Sequence, residues 1–198
     1  NMTITPASVA VGTYTGGVSP STAVAAKPIE LGPGDLGLAE LMIWLTTTIE
    51  KSDKSIRAQM ADINDKKDYA AKLGEVITAL TKADNIHKGS DSGRDTSGLP
   101  NLTDFADQAW YKNLPPEAQA AYKWVAEDTG SDGIANQGAV KAALTALSGF
   151  VGTLTAQNDT AMIRLQSAIS SRSQAIQLVS NMLNVMNETA KSTVGNIR

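Results

Sequence analysis

The chain has no cysteine and one histidine, His87. Without cysteine there is no disulfide, no thiolate nucleophile and no Cys-ligated metal. A lone imidazole leaves metal clusters and Ser-His-Asp chemistry almost nothing to work with. Aromatic residues make up only 5% of the sequence, while Ala, Ser and Thr are abundant, so the interior is expected to be thin, helix against helix, rather than bulky. Neither sign of charge dominates. A formal net charge of −3, with no basic patch interleaved with aromatics, argues against nucleic acid as a partner. Long apolar runs are missing too: the uncharged stretches at the N-terminus and in 142–157 are rich in Gly, Thr and Ser, too polar to span a bilayer. The chain therefore reads as a soluble protein without membrane insertion. No basic region followed by an apolar run marks a cleaved Sec-type signal. At 198 residues and 42% apolar content there is material for a core in one domain or two small ones.

What the sequence does have is a proline-free C-terminal stretch, 137–198. Every seventh residue from Val140 reads Val140, Leu147, Leu154, Ala161, Ala168, Ala175, Met182, Thr189; the series offset by four reads Leu144, Val151, Asn158, Leu165, Arg172, Val179, Met186, Thr193. Apolar side chains fill all of these positions except Asn158, Arg172, Thr189 and Thr193. A seam sustained over this many heptads belongs to a helix that buries one narrow stripe against a long partner. A straight helix of this length runs about 90 Å at 1.5 Å per residue. Its partner must also be long.

That partner lies earlier in the chain. Residues 1–34 carry no charge before Lys27 and are dense in Thr, Ser, Val, Ala, Gly and Pro, so they read as extended or disordered in isolation. Gly32-Pro33-Gly34 turns the chain, and Asp35 is a candidate N-cap for a helix starting near Leu36. From there Leu38, Met42, Leu45, Ile49, Ile56, Met60, Ile63, Ala70, Leu73, Ile77 and Leu80 recur in steps of three and four or their sums, without proline, to about Ile86. The register weakens where Ser52, Lys66 and Lys67 fall on or near the seam. Two helices of matching length in one chain predict an all-α fold, an antiparallel coiled-coil hairpin. Its domains are 1–34, an extended arm; 35–86, the first long helix; 87–136, an inserted cap; and 137–198, the second long helix. Leu45, Ile49, Ile56, Ile63, Leu73, Leu147 and Leu154 form the expected intramolecular seam.

The insert differs in texture. Residues 89–98 are a polar, Gly- and Ser-rich run that reads as a flexible loop. Most of the chain's aromatics follow, at Phe105, Trp110, Tyr111, Tyr122 and Trp124. Thr103 is placed to cap a short helix through Lys112, Pro115-Pro116 breaks it, and Pro116 suits the first turn of another helix to about Glu127. Residues 128–133 then turn towards the long helix. Phe105, Trp110, Tyr122 and Trp124 are the expected core of this cap.

Little in the chain suggests chemistry. Asp128, Ser131 and Asp132 faintly resemble a calcium loop, but the twelfth position is Ala139 where an EF-hand needs Glu, so a plain turn is expected. His87, beside Lys88 at the end of the first helix, suits a dipole partner for the helix C-terminus. No phosphate-binding Gly spacing and no carboxylate pair stand out. No catalytic residue, metal or cofactor is expected. Asn158 and Arg172 put polar groups on the seam. Either the seam drifts, since an ideal helix loses about 20° per heptad, or these residues fix register or meet another subunit. From Thr160 onwards the only acid is Glu188, and apolar residues such as Met162, Ile163, Ile169, Ile176, Leu178, Leu183, Val185, Val194 and Ile197 also lie off the seam. A two-helix hairpin covers one stripe, so the remainder calls for self-association. The expected assembly residues are Leu165, Ile169, Arg172, Ile176, Val179, Leu183, Met186, Val194 and Ile197.

The run 158–167, with Ser171-Arg172-Ser173-Gln174-Ala175, Ser180-Asn181-Met182-Leu183 and the closing Val194-Gly195-Asn196-Ile197-Arg198, resembles the C-terminal helix of type III secretion filament and needle-tip proteins. The short chain, uncharged N-terminus and variable insert between long helices are similar to the EspA-type filament subunits. The cap carries none of that family's motifs. The resemblance implies a secreted subunit at the bacterial surface, exported unfolded through the needle. It would then polymerise into a hollow sheath that conducts secreted proteins, or cap the needle. Implied partners are further copies of itself, the needle subunit, the translocon pore proteins and a cytosolic export chaperone that masks the coiled coil. The N-terminal segment would carry the export signal. The competing expectation is a monomeric or ring-forming hairpin that presents the aromatic cap to a partner.

Overall fold

The structure, a computed structural model, describes residues 3–4, 29–30, 37–88, 90–100 and 102–195. Within them the chain is mostly helical. A two-residue antiparallel pair joins β1 (Thr3–Ile4) to β2 (Ile29–Glu30). The rest of the expected N-terminal arm lies outside the described residues, as do the proposed cap Asp35 and Ile197.

Helix α1 spans Leu38–Asn85. The Gly37 N–H, at the head of the helix, donates to Glu40 Oε2 at 3.2 Å, so an acidic first turn satisfies a donor that the helix cannot. Helix α4 spans Gln137–Gly195. It is capped by Asn136, whose Oδ1 accepts from the Gly138 N–H at 2.6 Å. Asn136 also ends strand β5 (Ile134–Asn136), so strand passes into helix with no linker between them.

The chain divides into two compact units, residues 62–160 and residues 1–61 with 161–198, and α1 and α4 contribute to both. The 62–160 unit is wider than the expected cap. Its core joins Leu73, Val76 and Leu80 of α1 to Val140, Ala143, Leu147 and Leu154 of α4, with Trp110, Tyr122 and Val125 from the insert. The two helices run antiparallel here: the Tyr69 ring meets Phe150 edge-on at 6.0 Å, and Asn158 Nδ2 donates to the Ile63 carbonyl at 3.2 Å. Asn158 is thus a register contact within the chain. Ile63, Leu73, Leu147 and Leu154 of the expected seam are buried.

The insert is not wholly helical. A 3-10 turn (Phe105–Asp107), α2 (Ala109–Lys112) and α3 (Pro116–Asp128) follow the expected proline-set boundaries. The expected loop at 89–98, however, contains strand β4 (Ser90–Asp95), at the centre of a three-stranded antiparallel sheet between β3 (His87–Lys88) and β5. The Arg94 side chain, buried, binds Asp84 Oδ1 at 3.1 Å and His87 Nδ1 at 2.9 Å. A guanidinium only donates, so that nitrogen of His87 accepts, and the histidine helps to hold Arg94 in the sheet. With its amide oxygen turned inward, Gln137 accepts from Arg94 Nη2 at 2.9 Å and from Lys141 Nζ at 2.6 Å. The Asp128 and Asp132 carboxylates accept from the backbone N–H groups of Asn136 and Ile134, and Gly130 and Gly133 take the positive φ values of 54° and 72° that the turn demands.

Trp124 corrects the expected cap core. It is 48% exposed on α3. Trp110 and Tyr122 are buried and stack edge-on at 5.0 Å, with Phe105 half-buried beside Tyr122 at 5.7 Å. The helical period turns Trp124 away because Tyr122 and Val125 already occupy the inward face of α3.

The second unit is thinner. Leu45 and Ile56 of α1 are buried along with Leu165, Ala168 and Met182 of α4, and Ile49 is half-buried. Ser52 is 2% exposed on the same seam and its hydroxyl has no hydrogen-bond partner. By length and composition alone a stretch of α4 also qualifies as a membrane-crossing helix, which corrects the expectation that no stretch is apolar enough. Core helices of water-soluble proteins pass the same test.

Candidate self-association surface

Among the described residues no group of three or more His, Cys, Asp or Glu side chains is placed to hold a metal ion, and the surface that stands out is apolar. Exposed large apolar side chains concentrate in the thinner unit. There Leu38, Ile43, Trp44 and Met60 come from α1, and Met162, Ile163, Ile169, Ile176, Leu183, Val185 and Val194 from α4. In the 62–160 unit the corresponding residues are Ile86 and Trp124.

Four of the α4 residues form a ladder. Met162, Ile169, Ile176 and Leu183 follow one another at intervals of seven and are each between 37% and 46% exposed. Seven residues make nearly two turns, so the rungs lie on one row. Each rung lies beside the seam three residues on: Leu165 after Met162, Arg172 after Ile169, Val179 after Ile176, Met186 after Leu183. A helix that is apolar on the seam and on the next row carries a stripe wider than one partner covers, the pattern of a bundle helix. The row is also free of unpaired charge. Arg172 is tied to Asp53, and no charged residue occurs between Arg172 and Glu188.

Of the expected assembly residues, Ile169, Ile176, Leu183 and Val194 are exposed and Val179 and Met186 half-buried. Leu165 is a correction: it is buried against the chain's own seam. Arg172 is another. Its guanidinium engages both carboxylate oxygens of Asp53, so it is a contact to α1 within the chain.

On α1 the residues at 39, 43, 46, 50, 53, 57 and 60 recur in steps of four and three and form a second stripe. Ala39, Ile43, Thr46 and Glu50 line a shallow furrow together with Met186 of α4, and Asp53 reaches Arg172. The stripe and the ladder therefore border the same side of this unit. The Thr46 hydroxyl donates to the Met42 carbonyl at 2.8 Å, which turns its polar group onto the helix's own backbone. Glu50 and Arg57 are exposed on this stripe and have no ion-pair partner among the described residues. Sequence reasoning missed the stripe because it is of mixed polarity; its four-three spacing was the available signal.

No protein-family model matches the chain, and neither curated proteins nor solved structures yield a match.

Proposed function

We propose that the chain is a structural subunit, an antiparallel coiled-coil hairpin that self-associates through the outer row of α4. In this reading it builds an extracellular hollow filament that extends a type III secretion needle and conducts secreted proteins. The ladder of Met162, Ile169, Ile176 and Leu183, on a helix without charge from 173 to 187, carries the self-association part. A helix surface that stays in water is normally rich in charge. One that lacks it loses little on being buried against its own kind, since no ion is desolvated and no like charges meet. The filament part rests on the resemblance of 158–198 to secretion filament and needle-tip subunits. The needle subunit, the pore proteins and an export chaperone as partners, and the bacterial surface as location, rest there too. A second reading, a tip or ring module presenting its cap, draws on Trp124, which is exposed where a purely structural cap would bury it.

Electron microscopy of the purified protein across a concentration series, with light scattering on the same samples, tests the choice. Uniform tubes support the filament, small rings or a persistent monomer the second reading. Leu183→Asp places a charge in the ladder and is expected to abolish assembly while circular dichroism keeps its helical signal. A variant that still polymerises would remove α4 as the interface.

A further inference from the structure

The thinner unit has a property beyond self-association: its ladder and the two unpaired charges of its α1 stripe are centred at one level. The ladder is symmetric about the point midway between Ile169 and Ile176, next to Arg172. The two unpaired charges of the α1 stripe, Glu50 and Arg57, are symmetric about the point midway between them, next to Asp53. Arg172 and Asp53 are ion-paired, so both midpoints lie at the same level of the unit.

We propose that this side docks against the same side of a second copy, antiparallel, about a two-fold axis at the Asp53–Arg172 ion pair. The proposal rests on the self-association reading and makes its unit a closed pair, so that a filament is built from such pairs through a further, heterologous contact. About that axis Ile169 of one copy meets Ile176 of the other, and Met162 meets Leu183. Glu50 meets Arg57 twice, once on each side of the axis. An isologous contact requires this: where residue i of one copy touches residue j of the other, j of the first touches i of the second in return. A two-fold axis along the helices instead makes the copies parallel and sets α1 of one against α4 of the other, where Glu50 and Arg57 face the uncharged ladder and find no opposite charge. The rungs stand about 10 Å apart along α4, at seven residues of 1.5 Å each, and the axis midway between two of them brings the opposing rungs to the same levels, side chain against side chain. A face about 32 Å long and two helices wide covers on the order of 700 Å², against about 800 Å² per partner in a standard interface. Met60 extends the apolar face at one end and Ile43 at the other, each exposed on the α1 stripe.

The test exchanges charges on the full-length protein and reads association by sedimentation. Glu50→Arg sets one arginine against another at both contacts, and Arg57→Glu sets two acids against each other. Each variant alone is expected to associate about tenfold more weakly than wild type. An equimolar mixture of the two is expected to recover wild-type association as a one-to-one heterodimer, because every contact then joins opposite charges. Both substitutions sit on exposed helix surface, and circular dichroism checks that each variant is folded. If wild type associates but the variants match it, or the mixture recovers nothing, the antiparallel pairing is overturned and self-association stands. If wild type stays monomeric at every concentration, the self-association reading falls and the pairing with it.

Discussion

Single residues decide how tightly each part of the chain is held. Ser52 sits in the α1–α4 seam with its hydroxyl buried and unpaired, a group whose desolvation is not repaid. Ser52→Ala is therefore expected to raise stability by about 1 kcal/mol, measured by denaturant unfolding; a loss would mean the hydroxyl has a partner in solution. The sequence marks Ser52 as a weak point of the seam, and its hydroxyl is one of the seam's unsatisfied groups. Two tyrosines act at the other end of the pH scale. The hydroxyls of Tyr69 and Tyr122 donate to the carbonyls of Trp110 and Pro100, and burial pushes both from 10 up to about 12. The unfolded chain ionises them near 10 and the folded one does not, so their contribution is intact below 10 and is lost as pH rises towards 12. The unfolding midpoint should fall across that window and fall less in a Tyr69→Phe/Tyr122→Phe variant. Identical profiles for the two proteins would show that other groups govern alkaline unfolding.

Among the elements, those written in apolar periodicity were legible and those written in polar contacts were not. The steps of three and four from Leu38 to Leu80 and from Val140 onwards place α1 and α4 to within a few residues, and Pro116 places the start of α3. Strand β4 escapes because its sequence, SDSGRD, has the composition of a loop and no alternating apolar face. It is a strand because neighbours on both sides pair with it and because Arg94 anchors it to Asp84 and His87. Trp124 escapes for the opposite reason: composition groups it with the other aromatics, but the turn of α3 points it outward. Arg94→Ala leaves Asp84 without its buried partner and is expected to cost about 3 kcal/mol. Exchange of the backbone amides of Arg94 and Asp95 should accelerate well before those of Leu73 to Leu80. Uniform acceleration would mean that sheet and helices open as one.

For the whole molecule, the surplus of apolar residues on the C-terminal helix, many of which are exposed, was legible in the sequence. The division of labour among them was not, because the sequence does not show which rows the chain itself covers. Leu165 and Arg172 turn out to face α1, while the ladder one row away stays open. That open row implies a thermal signature. A contact made through an apolar, uncharged row draws its strength from water released on contact, a driving force that fades on cooling and grows in the presence of strongly hydrated salts. Assemblies held by this ladder should come apart in the cold and reform on warming, and sulfate should tighten them even though it screens the Glu50 and Arg57 rim. Light scattering followed through a cooling and warming cycle reads this directly, and an assembly that tightens as it cools would be held together by polar contacts instead.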